Sequence, residues 1–296
     1  MTAVRAVSAA FLVVGLLIGS SSPSPAPRTA PMVNGDIILT ADFHVHAFPG
    51  DGALTPARLR EQAARQGIDV ITIINHNQLH AAGLMGWSDP SGPDPIVILG
   101  AEITNPNYHL VAVGISRVVD WDQPAARAID EVHAQGGIAI AAHPTRDYVR
   151  GWDDEAVARL DGVEAAHPAL DESDETERDV ALFIERARAS KPGIAAIGSS
   201  DFHVHDRLGR CRTYVFARER SAAAVIEAVR AGRTVAETTD GRLLGDAALV
   251  KLVQEMREAD EVDMPPQGRD AVSSVCAWLG VAGLLLFRSV TPRRPR

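Results

Sequence analysis

Apolar runs at 37–45, 70–74, 96–99, 109–115, 137–142, 162–166 and 195–198 recur along the chain, and metal-ligand side chains stand at or just beyond the ends of most of them. Runs of this length read as strands. Helix-like stretches fit between several. The stretch 55–67 opens on Thr55-Pro56, a cap residue with proline at the first helical position, and closes on Gly67. Others are 125–135, ended by Gly136-Gly137, then 179–190 and 221–231. Strand alternating with helix predicts a parallel α/β sheet or barrel. That matters for chemistry, because residues at the ends of successive strands converge only where the strands are parallel neighbours.

The residues so placed are His44 and His46 in Asp42-Phe43-His44-Val45-His46, then Asp51, His76 between Asn75 and Asn77, Glu102, His109, His143, and the pair Asp201 and His203. Carboxylates and neutral imidazoles are what zinc, manganese or iron(II) accepts. His44 and His46 are one residue apart, so on a strand they point the same way and can share an ion. Asp201-Phe202-His203 repeats that spacing after the last run. Asp42 shares the period-two face of His44 and is expected to orient a ligand imidazole through its second nitrogen. Asn75 and Asn77 are expected to support the ligands beside them. Glu164 and His167 follow a strand and are expected to line the pocket, as substrate contacts or as supports of the ligands.

Taken in order, D-F-H-V-H with the later D-G, N-H-N, G-A-E-I-T with a following H-L, A-H-P and S-D-F-H resemble the motifs of the polymerase and histidinol phosphatase (PHP) domain family. The resemblance runs from about Asp36 to Thr239. It implies a distorted (β/α)7 barrel with its metals at the C-terminal ends of the strands. It also implies three overlapping ion sites: His44, His46, Glu102 and Asp201; Asp51, His76 and His203; and Glu102, as a bridge, with His109 and His143. Two positions depart from the family pattern. Ala47 stands where Ser or Thr is usual, and Asn75 where Asp is usual, so one supporting charge is lost while every implied ligand remains. Two or three clustered divalent ions (zinc, manganese or iron) lower the pKa of water and hold the attacking and leaving oxygens of a phosphate ester. The expected activity is therefore hydrolysis of a small phosphorylated molecule, with metal-bound hydroxide as nucleophile. Arg146 and Arg207 are the candidate phosphate contacts.

The two ends set limits on where such an enzyme works. The apolar run 6–19 behind Arg5, followed by the Ser/Pro-rich stretch 20–31, reads as a signal peptide or anchor with a linker. At the other end 271–287 carries no charge and is followed by Arg288, Arg293, Arg294 and Arg296, the pattern of a transmembrane helix with a cytoplasmic tail. The expected organisation is thus a leader at 1–31, the PHP-type domain at 36–240, a polar tether or helix at 241–269, a membrane helix at 270–290 and a basic tail at 291–296. This predicts an exported, membrane-anchored protein with its catalytic domain extracytoplasmic. The only cysteines, Cys211 and Cys276, provide no disulfide framework. A net charge of −9 argues against tracking along nucleic acid, and no protein partner is predicted. Two other functions share these features: a 3′-5′ exonuclease or other phosphodiesterase of the same fold, and a non-catalytic extracytoplasmic metal-binding module. Loops 80–94 and 148–154 are expected to carry substrate specificity.

Overall fold

Strand β2 (Asp36–Val45) is buried on both faces from Ile38 onward, as a central strand covered on each side must be. In the computed structural model, which describes residues 30–79, 95–204, 207–259 and scattered positions near both ends, residues 25–260 form one unit around this strand. Parallel pairing joins β2 to β3 (Val70–Ile73) and β3 to β4 (Ile96–Asn105). Strand β5 (Tyr108–Val113) then runs antiparallel to β4 and to β6 (Ile138–Ala141), and β7 (Gly162–Ala166) and β8 (Ala195–Gly198) continue parallel to β6. On the other side of β2 lie β9 (Arg212–Ala217), β10 (Thr234–Glu237) and β11 (Leu243–Gly245), each antiparallel to its neighbour, while the short β1 (Met32–Val33) also pairs with β2.

The expected parallel α/β sheet or distorted barrel is met in part, with a departure in strand direction. Strand β4 does not stop at Leu99 but continues to Asn105 and returns at once as β5, so two strands expected to be parallel form a hairpin. Strands β9 to β11 carry none of the ligand residues that marked the earlier runs. The result is a mixed sheet whose path is β11-β10-β9-β2-β3-β4-β5-β6-β7-β8.

The sheet curls into a nearly closed barrel because β8 returns to β9. Thr213 Oγ1 accepts from the Gly198 amide at 2.8 Å and donates to the Gly198 carbonyl at 2.9 Å, replacing ladder bonds at the seam. A Cβ on Gly198 would lie 2.2 Å from the Arg212 carbonyl oxygen, so only glycine allows this approach. Within the sheet Leu39, Ala41 and Phe43 join Val70, Ile96, Ile98, Val111, Ile138, Ile140, Ile197 and Val215 in one apolar cluster. Val225 and Val229 of α5 (Ala222–Arg230, the fifth helix in chain order) belong to the same cluster, and Ser221 caps that helix by accepting from the Ala224 amide.

The remaining helices cover the outside. Helix α1 (Pro56–Arg65) packs Leu59 and Ala63 against Val45, Ile71 and Ile73. Helix α2 (Ala125–Ala134) buries Ile129 and Val132, α3 (Asp154–Arg159) is capped by Asp153, and α4 (Asp174–Ser190) begins earlier than expected, at the acidic run, with Ser173 as its cap. The stretch expected as a polar tether or helix forms, as far as residue 259, β11 and the helix α6 (Ala247–Ala259), whose Leu249, Leu252, Val253 and Met256 pack on Ile38, Tyr214 and Phe216. Only scattered positions of the expected leader at 1–31 and of the membrane helix at 270–290 are described, and the tail at 291–296 and loop 80–94 lie outside the described residues. Among the described residues no helix is long and apolar enough to cross a membrane.

Replacing Thr213 by Val preserves shape but strands the Gly198 amide and carbonyl at the buried seam. A loss of about 1–3 kcal/mol is expected, read as a lower urea midpoint at unchanged slope. An unchanged midpoint would mean the seam contributes nothing.

Candidate metal centre

The register of β2 against β3 shifts between Asp42 and Val45, and this irregularity sets the site. Leu39, Ala41 and Phe43 lie in the inner cluster, whereas Val45 and Ala47 pack with α1, so alternation reverses after Phe43 and His44 and His46 turn inward. Asp42 consequently does not orient an imidazole, contrary to the period-two expectation. Its carboxylate accepts from Ser200 Oγ at 2.5 Å, from the Ser200 and Gly209 amides at 3.0 and 2.8 Å, and from the His44 amide at 3.3 Å. Asp42 therefore pins the loop that presents Asp201 to the strand that presents His44. Burial raises its pKa, against the pull of those bonds.

The two asparagines act on backbone. Asn75 accepts from the Ala47 amide and donates to the carbonyls of Ala47 and Pro49, each near 3.0 Å, which a carboxylate could not do because it has no protons to give. The departure from the family pattern at Asn75 thus closes a loop clamp. Asn77, at φ +50°, brackets Thr104 through both its amide and carbonyl. His143 and Asp201 also sit in the left-handed region, at φ +23° and +52°, a conformation non-glycine residues hold only when their surroundings enforce it.

Four buried atoms converge at the centre: His44 Nε2, His46 Nε2, Glu102 Oε2 and Asp201 Oδ1. None makes a well-aligned hydrogen bond among the described residues. Asp201 Oδ1 lies 3.1 and 3.2 Å from the two nitrogens, and Glu102 Oε2 lies 3.6 Å from each. Donors about 2.1 Å from a tetrahedral ion stand roughly 3.4 Å apart, and these four distances are of that size. Asp51 faces a second group, with Oδ2 3.0 Å from His76 Nε2 and 3.3 Å from His203 Nε2, and Oδ1 3.1 Å from His46 Nδ1. In the third, Glu102 Oε1 lies 2.7 Å from His109 Nδ1 and 3.3 Å from His143 Nε2. The structure therefore brings together His44, His46 and Glu102, with Asp201 beside the two imidazoles, then His46, Asp51, His76 and His203, and then Glu102, His109 and His143, and each group could hold an ion.

Glu164 supplies the orienting carboxylate expected of Asp42. Its Oε1 lies 2.9 Å from His44 Nδ1, leaving Nε2 turned inward, and its Oε2 accepts from the strained His143 amide at 2.7 Å. Burial opposes the ionised form of Glu164, yet the charge of His44 and the hydrogen bond to it hold its pKa down to about 2. The same competition depresses Asp201 and Glu102, both held mainly by His44. Burial would lower His44 itself, but Asp201, Glu164 and Glu102 outweigh it and raise its pKa well above the ordinary histidine value; His46, with less compensation, is lowered by its burial. The adjacent Glu102 carboxylate raises His76.

The inner side of the cluster is closed, with His44 and His46 inaccessible, while Asp51, His76 and His203 are between 34 and 40% exposed and face the opening. Arg146 is exposed and paired with Glu175 and Asp179, on the wall of a depression of about 340 Å³ that also includes His143 and Tyr148. Arg207 is exposed, next to residues 205–206, which lie outside the described residues. Two neighbours escaped the sequence reading. Thr104 Oγ1 lies 2.7 Å from His76 Nδ1, and its position two residues after Glu102 on a strand was a usable signal. Tyr148 stacks on His109 at 4.0 Å, which no local motif indicates.

Because His44 and His76 are raised, the metal-free protein keeps protons there above the ordinary histidine value, and an ion must displace them. Affinity for zinc or manganese is expected to rise with pH between about 6 and 8, by up to roughly tenfold per unit for each proton released. Calorimetry in buffers of different ionisation enthalpy checks this, and a flat affinity without proton release would mean the imidazoles are already neutral.

Comparison with known proteins agrees with this geometry. Residues 181–234, which include Asp201 and His203, match the family described as PHP-associated. The chain is 25% identical over 139 residues to an uncharacterised protein of Methanocaldococcus jannaschii, a match covering 43% of this chain and 80% of that protein. A two-domain protein of Bacteroides vulgatus, containing a predicted PHP-like metal-dependent phosphoesterase, has a similar fold, with a TM-score of 0.59 and 22% identity over 79% of this chain and 74% of that one. The motifs' resemblance to PHP proteins is thus matched by a PHP-associated segment and by the fold of a PHP-like protein.

Proposed function

We propose that this chain is a metal-dependent hydrolase of phosphate esters, acting on a small phosphorylated molecule. The observation that carries this reading is the set of four buried donors with Asp201 and Glu102 oxygens 3.1 to 3.6 Å from the His44 and His46 nitrogens, continued through Glu102 and Asp51 into two further groups. Mixed imidazole and carboxylate donors suit zinc, manganese or iron. Two or three such ions supply Lewis acidity, acidify water and balance the charge of a phosphoryl group. The protein's part is to hold the donors in place. Glu164 fixes the His44 ring, Asp51 fixes His46, and Asp42 keeps Asp201 against both. Substrate enters from the side of Asp51, His76 and His203, where the cluster is exposed. Arg146 reaches a phosphate only by leaving Glu175 and Asp179, so it acts as a mobile contact at the rim, with Arg207 as the second cation.

A screen of phosphomonoesters, phosphodiesters and oligonucleotides, with manganese or zinc, tests this. Turnover of a small phosphomonoester is expected, falling roughly a hundredfold or more in His44→Ala and in Asp201→Asn. Preference for oligonucleotides would select the exonuclease reading instead. Bound metal without turnover of any ester would select a non-catalytic module.

We also propose that the domain is extracytoplasmic and membrane-anchored, supported by the uncharged run 271–287 followed by arginines and by the apolar run 6–19 behind Arg5. Protease added to cells stripped of outer barriers is expected to digest the domain; complete protection in intact cells, lost on lysis, would reverse the orientation.

A further inference from the structure

His167 adds a fourth grouping, since its ring lies beside those of His44 and His143, at 5.9 and 5.0 Å, and the three imidazoles are close enough to hold an ion. The direction of one backbone bond argues against that use. His167 follows β7 and caps a turn of 3-10 helix (Pro168–Glu172), with its Nδ1 accepting from the Ala169 amide at 3.1 Å. A backbone amide is always a donor, so Nδ1 must present its lone pair and the ring proton resides on Nε2. A nitrogen that carries a proton has no lone pair for an ion.

That Nε2–H is buried, with the His167 side chain only 3% exposed, and among the described residues it has no hydrogen-bond partner. It lies 3.6 Å from Asp201 Oδ2 and 3.9 Å from Glu164 Oε2, both beyond hydrogen-bond length. Neither carboxylate is available to close that gap cheaply. Glu164 is held by His44 and the His143 amide, and Asp201 by the Asp42 clamp on its neighbour Ser200. An unpaired donor in so buried a position calls for an acceptor that arrives from outside.

We infer that His167 is an oxyanion contact of the site: its Nε2–H donates to a phosphoryl oxygen of the bound substrate or product. This rests on the phosphoester reading. The role is that of a fixed hydrogen-bond donor, with no proton transferred, because Nδ1 is engaged by Ala169 and the ring gives up its single proton to nothing. It also depends on the metals being present, since without them Asp201, Glu164 and Glu102 repel an anion.

The test uses the full chain, loaded with zinc or manganese, and inorganic phosphate as the probe. His167→Ala is expected to keep the wild-type metal stoichiometry and to bind phosphate roughly ten- to a hundredfold more weakly, while His167→Gln, which keeps a donor near the Nε2 position, recovers part of the loss. Ring-nitrogen NMR of the wild-type protein is expected to find the His167 proton on Nε2 both before and after zinc is added. Loss of one ion in His167→Ala, or deprotonation of Nε2 on zinc binding, would make His167 a ligand and overturn the inference. Weaker metal binding with unchanged phosphate affinity would make it a support for Asp201 and overturn it equally. Should the alanine variant fail to fold, the glutamine variant and the NMR decide. Phosphate binding that is absent even from the loaded wild-type protein would remove the anion assignment together with the phosphoester reading, whereas binding that survives in His167→Ala removes the assignment alone.

Discussion

Glu102 is a carboxylate almost without solvent, and each of its oxygens faces a different set of imidazoles. A buried charge of this kind is tolerated only when opposite charge surrounds it closely. Here protonated imidazoles can supply the balance, and divalent ions supply it better. The backbone on either side is fixed to match: the Glu102 amide donates to the Asn75 carbonyl, and the Asn77 amide donates to the Glu102 carbonyl. The segment that carries His76 is therefore stitched to the strand that carries Glu102, and the second and third groups cannot shift independently.

This arrangement also explains the electrostatic layering of the site. On its closed side, carboxylates hold their charge because His44 stands among them. On its open side, Asp51 is depressed against its own partial burial by His46 and His76. An entering anion thus meets a surface whose sign depends on what occupies the donors. On the proposed phosphoester reading, the metal-free carboxylates would repel phosphate, and bound ions would reverse that sign at the mouth, so ions would bind first and the anion second.

Much of this was legible in the chain. The runs at 162–166 and 195–198 are the strands β7 and β8 to the residue, and the strand-end histidines and acids do meet. Asp42 shows where reading by period fails, because one register irregularity before His44 moved it to another face, and no spacing rule reports an irregularity. The hairpin of β4 and β5 was misread as two parallel strands since both are buried on nearly all sides, and continuous burial erases the alternation that marks an antiparallel pair. Strands β9 to β11 are held by the seam at Gly198 and by α6, tertiary contacts that neither composition nor ligand spacing encodes. Glu164 was placed in the pocket, but its bond to His44 spans 120 positions and is visible only in three dimensions.

The Asp42 clamp has a temporal side. Asp42 is 158 positions from Ser200 and 167 from Gly209, so its bonds cannot form until the first and last parts of the barrel have met. Contacts this remote in sequence form only after a large loss of chain entropy, and folds that rely on them fold slowly. During synthesis His44, His46 and His76 emerge long before Asp201 and His203, and until then they are a scatter of weak, separate ligands. A firmly held ion would therefore be a late acquisition. It would reward a chain whose closure is already complete, and lock in a topology that it had no part in choosing.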